Sequence, residues 1–147
     1  MSTFEYGKDG AQVVVVGLDG SESSWLATAY AGGLARRQHA RLVVVYVETT
    51  PAMAGLTPGG LVAARQAVQE VSAALRATVE ERAAEVGVEV TFLTGRGEPA
   101  AELARVADEV RADAVVVGAS ASTGHRLVGS TAVRLVRDGR WPVTVVP

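Results

Sequence analysis

Two kinds of apolar pattern alternate along this chain. Residues 13–16, 115–117 and 143–146 are short unbroken runs dominated by valine, and 41–47 is a longer one. Apolar on both faces and mostly too short for a helix, they predict strands inside a covered parallel sheet. Between them, apolar residues return every three or four positions. Ala27, Ala31 and Leu34 do so in a first helix, and Ala64, Val68, Val71, Leu75, Val79, Ala83 and Val86 in a long second one. Ala100, Leu103, Ala104, Ala107 and Val110 mark a third. Residues 88–93 alternate apolar and polar, the mark of a half-buried edge strand.

The punctuation agrees with these periods. Ser21 is a good N-cap, Pro99 suits a first helical position, and Gly87 and Gly139 suit helix ends. Residues 17–20 read as a turn, and 49–60, with Pro51, Pro58 and three glycines, as a loop. The order is β-α-β-α-β-α-β-α-β. Strands alternating with helices imply an α/β fold: an open parallel sheet with right-handed crossovers and helices on both faces.

Composition narrows the classes. At 147 residues and 48% hydrophobic, the chain is expected to form one domain over 12–147, behind a flexible polar tail at 1–11. A net charge of −2 without a basic block argues against nucleic acid. With no cysteine, disulfides and thiolate metal sites are excluded. His39 and His125 are far apart in sequence and make no His-x-x-x-His pair, so no structural metal site is expected. No apolar run approaches membrane-spanning length, and 1–10 carry no secretory apolar core, so a cytoplasmic protein without membrane contact is expected.

The candidate chemistry lies after the first and fourth strands. From Gly118 a loop of small and hydroxyl residues runs to Gly129-Ser130-Thr131, where a helix begins. A helix N-terminus has unsatisfied N–H groups and partial positive charge, and glycine lets a phosphate come close. Ser130 and Thr131 add hydroxyls, and Arg126 a guanidinium matched to phosphate. Ser130 as a simple N-cap, with the loop a mere connection, is the plainer alternative. Asp19 ends the first strand. Its carboxylate can accept hydrogen bonds from a ribose hydroxyl or a base amino group, or close an Asx turn, and the two are compatible. Gly17-x-x-Gly20 is not the dinucleotide fingerprint, and no P-loop lysine is present. Were the first strand flanked by the second and fourth, Asp19 and the Gly118–Thr131 loop would face one another at the switch point of the sheet.

Three pieces resemble the universal stress protein family in its single-domain form: Val13-Val-Val-Val-Gly-Leu-Asp19-Gly-Ser, Gly95-Arg-Gly-Glu-Pro99, and Val115-Val-Val-Gly118 through Gly129-Ser130 to Arg140-Trp-Pro-Val-Thr-Val-Val146. The resemblance implies a five-stranded Rossmann-like sheet of order 3-2-1-4-5, a homodimer through 143–146, and a stress-response role. It also implies ATP or another adenine nucleotide, AMP or cyclic AMP included, as ligand. The expected site is Gly17, Leu18, Asp19, Val47, Val117, Gly118, Ser120, Gly124, Arg126, Gly129, Ser130 and Thr131. Two departures stand out. Ala121 replaces the middle glycine of the family's loop, with Gly124 its nearest substitute, and the loop is two residues short. An interaction module without nucleotide is therefore the alternative. The residues offer no catalytic pair and no carboxylate cluster for Mg2+.

Overall fold

The structure, a computed structural model, describes residues 12–48, 52–119 and 129–147. Five parallel strands form one sheet in the order β3-β2-β1-β4-β5. They are β1 Val13–Leu18, β2 Arg41–Glu48, β3 Val90–Arg96, β4 Ala114–Gly118 and β5 Val143–Val146. Four helices connect them: α1 Glu22–Gln38, α2 Gly60–Val86, α3 Pro99–Glu109 and α4 Ser130–Asp138. This is the expected architecture, with β3 at an edge as its alternation predicts.

The valine runs work because both faces are covered. Val14, Val16 and Leu18 of β1 pack with Ala27, Ala31 and Ala35 of α1 and with Leu75, Val79 and Ala83 of α2. Val15 points the other way, into a second core with Leu103 and Ala107 of α3 and Leu135 of α4. Successive strand residues alternate faces, so one uninterrupted run feeds both cores. Toward the sheet α1 buries only Ser24 and alanines, which lets its backbone lie close to β1 and β4.

At the start of β1, Asp113 Oδ2 accepts the backbone N–H groups of Gln12 and Val13, at 2.8 and 2.9 Å. β1 then pairs Val13 with Arg41 of β2, and Val14 with Ala114 of β4.

Several expectations need correction. Gly17 and Leu18, read as turn, continue β1, because Gly17 pairs with Val45 and Leu18 with Tyr46. Residues 52–56 form a turn of 3₁₀ helix within the stretch read as loop. In α2, Val71 and Val86 are exposed; the buried stripe runs through Ser72, Leu75, Val79 and Ala83. One residue turns a helix by about 100°, so Ser72 takes the sheet-facing place assigned to Val71. Trp141 packs partly buried against the second core, beneath the Arg140 guanidinium, and Trp25 packs on the first.

Candidate functional site

A cavity of 430 Å³ opens at the carboxyl ends of β1, β2 and β4. β1 supplies Gly17 and Leu18, with Asp19 following; β2 supplies Val45, Tyr46 and Val47; β4 supplies Val117 and Gly118. Gly129, Ser130 and Thr131 close it from the start of α4, and Pro99 and Leu103 from α3. Nine of the twelve residues expected from the sequence therefore share one cavity. Ser120, Gly124 and Arg126, with the departures at Ala121 and in loop length, lie outside the described residues.

Asp19 is set by the turn that starts α1. Its Oδ1 accepts the Ser21 N–H at 2.9 Å, closing an Asx turn. The Ser24 hydroxyl accepts the Asp19 N–H at 3.2 Å and donates to the Ser21 carbonyl at 2.9 Å. Ser21 caps α1 by accepting the Ser24 N–H, as its position predicts. Gly20, at φ +88°, makes the bend that an L side chain would resist. Burial pushes the Asp19 carboxyl up, but hydrogen bonds from Ser21 and Ser24 and from backbone N–H groups outweigh it. The carboxyl ends below its ordinary value of 3.8, so it is ionised at neutral pH. Burial, then the charges of Glu48 and Asp19, raise the Tyr46 phenol.

At the opposite wall Gly129, not Ser130, is the N-cap of α4, and being glycine it has no side chain with which to cap the helix. Ser130 is the first helical residue, which removes the plainer reading of it as a cap. The first intrahelical bond runs from Val133 N–H to the Gly129 carbonyl, leaving the N–H groups before it without an intrahelical acceptor. The positive end of the α4 dipole thus lies at the cavity that Asp19 borders.

Gly118 is glycine for a reason the sequence did not reveal. A Cβ there would stand 2.6 Å from the Ser23 carbonyl carbon and 2.7 Å from Ser24 N. The first turn of α1 rests on it.

Sequence reasoning missed Ser21, Ser23, Ser24, Tyr46 and Leu103 as cavity residues. The Asp-x-Ser-x-x-Ser spacing carried a signal for Ser21 and Ser24, since both hydroxyls bond into the Asp19 turn. Tyr46 and Leu103 carried none, because only the packing of β2 and α3 brings them in. Among the described residues no group of three His, Cys, Asp or Glu side chains could hold a metal ion. Among the described residues no helix is long and apolar enough to cross a membrane. A larger trough of 730 Å³ lies between α1 and α2 and contains none of the expected residues.

Comparison with known proteins now decides the family. The family model described as "Universal stress protein family" matches residues 10–147. The chain belongs to that family. A universal stress protein of Methanocaldococcus jannaschii is 29% identical over 136 residues, spanning 90% of this chain and 80% of the relative. A solved member from Burkholderia pseudomallei is 32% identical, with TM-score 0.70, covering 92% of this chain and 96% of its own. Another solved universal stress protein, in complex with cAMP, is 28% identical, with TM-score 0.69, covering 94% of this chain and 98% of its own.

Proposed function

We propose that this universal stress protein binds an adenine nucleotide in the cavity between β1 and β4 and acts as a stress-response regulator through that ligand. One observation carries the reading: an ionised carboxylate and the positive N-terminal end of α4 border the same 430 Å³ cavity. The two ends are chemically opposite. Asp19 suits the hydroxyl and amino donors of an adenosine, and the α4 N-terminus with Ser130 and Thr131 suits its phosphates. Leu18, Val45, Val47 and Val117 offer an apolar middle for the base. ATP is the first candidate; AMP and cyclic AMP follow, and the similar protein solved with cAMP supports that range. The residues that hold the adenosine end are Asp19 and the β2 terminus at Val47.

The same reading includes a homodimer through β5. That strand is an edge of the sheet, and Val143, Thr144, Val145 and Val146 are all half-buried. Pairing with a second copy would cover the open edge.

Isothermal titration of the purified chain with ATP, ADP, AMP and cyclic AMP tests the proposal. Binding of at least one, lost in Asp19→Ala and weakened in Gly129→Ala, is the expected result. No heat with any of the four defeats it. In that event the ligand-free interaction module becomes the better reading. The packing of Gly118 against α1 favours that alternative, since it accounts for a motif glycine without any ligand.

A further inference from the structure

The outer face of α1 carries a pattern that the nucleotide reading does not use. Glu22, Leu26, Ala29, Gly33 and Arg36 recur at intervals of four, three, four and three residues, the spacing of a helix-pairing seam. All five border the 730 Å³ trough between α1 and α2, as does Gly32. Leu26 is 50% exposed although it lies mid-seam. Glu22 and Arg36 are exposed, and neither has an ion-pair partner among the described residues.

We propose that this face binds a second copy of the chain, with the two α1 helices antiparallel about a two-fold axis at Ala29. The pattern is complementary to itself under that operation. Glu22 of one copy meets Arg36 of its partner, twice, by symmetry. Leu26 meets Gly32, where an added Cβ would find only the Leu42 side chain, at 4.0 Å; beside Gly33 the Arg37 guanidinium, 3.3 Å from such a Cβ, swings aside to admit it. Small residues at the crossing let two helices approach closely. Parallel pairing would set Glu22 on Glu22 and Arg36 on Arg36, and is disfavoured. The neighbouring α2 contributes Arg82 and Glu85 to the trough, one charge of each sign, so it adds no net repulsion. This surface is separate from the β5 edge.

The chain has no cysteine, so a single introduced thiol reports the arrangement cleanly. Ala29→Cys places two thiols across the proposed axis, whereas Ala101→Cys places one on exposed α3. Under mild oxidation Ala29→Cys is expected to form a disulfide dimer at least about tenfold faster than Ala101→Cys, because the interface concentrates the thiols. Adding Glu22→Arg or Arg36→Glu to Ala29→Cys slows the reaction, and adding both together restores it. Equal rates for the two single-cysteine variants overturn the proposal, as does the absence of recovery in the charge-swapped pair. A dimer formed only through β5 gives that same negative result.

Discussion

Replacing Gly118 by alanine tests the account of how the site is built. The new Cβ would stand 2.6 Å from the Ser23 carbonyl carbon and 2.7 Å from both Ser23 O and Ser24 N. These are backbone atoms in the first turn of α1, and no rotamer change relieves the contact. To regain ordinary contact the turn must move by roughly 0.8 Å. Such overpacking costs about 1–3 kcal/mol. The shift also strains two 3.2 Å bonds, Ser24 N–H to the Ser21 hydroxyl and Asp19 N–H to the Ser24 hydroxyl. Losing the cap adds about 1 kcal/mol. The lower entropy of the unfolded alanine chain returns about 0.4–1 kcal/mol. The net expectation is a loss of about 1–3.5 kcal/mol in the protein without ligand, read as a lower urea midpoint at unchanged slope. A fall of roughly 2–14 °C in Tm should accompany it. A loss under about 0.5 kcal/mol, well below the overpacking range, would refute the reasoning. A glycine kept only for a ligand predicts the reverse: unchanged stability and weaker nucleotide binding.

Two other measurements probe the same region and its far end. Because the folded Asp19 carboxyl lies below its ordinary value of 3.8, its contribution is fully present above that pH. It fades as pH falls through the lowered folded value, so the stability gap between wild type and Asp19→Asn should hold from pH 7 to about 5 and close in more acid solution, measured by urea titration at each pH. A gap independent of pH would show that the carboxylate is not held by the Ser21 and Ser24 bonds. His39 ends α1 at φ +54°, a left-handed conformation that suits glycine. His39→Gly should therefore raise stability by up to about 1 kcal/mol, while His39→Val should lower it.

What could be read from the residues, and what could not, follows the range of the forces involved. The valine run of β1 and the capping serine of α1 are local, and both stand as expected. Gly17 and Leu18 were misassigned because glycine usually marks a turn; here β2 pairs with both and holds them in the strand. Val71 was placed inside because valine is apolar, but the direction of the α2 stripe is set by Val68, Leu75 and Val79, and it passes through Ser72. The order of strands rests on pairing between distant segments, and here it came from the family resemblance rather than from any spacing. In the cavity, Asp19 and Gly118 stood out as motif residues. Tyr46 lies there because β2 is β1's neighbour, which no feature of its own sequence surroundings announces.

The contacts at the two ends of β1 and β4 bear on how the sheet finds its alignment. Four consecutive valines give a sliding strand almost nothing to measure itself by. A slip of two positions keeps every side chain on its proper face and costs little in packing. The ruler must lie elsewhere. Asp113 grips the amides of Gln12 and Val13 where β1 begins, and at the far end Gly118 admits the start of α1 with no room to spare. Between these stops only one alignment of β1 against β4 satisfies both. Releasing the first stop, as in Asp113→Ala, should yield a mixture of misaligned chains rather than one uniformly weakened protein.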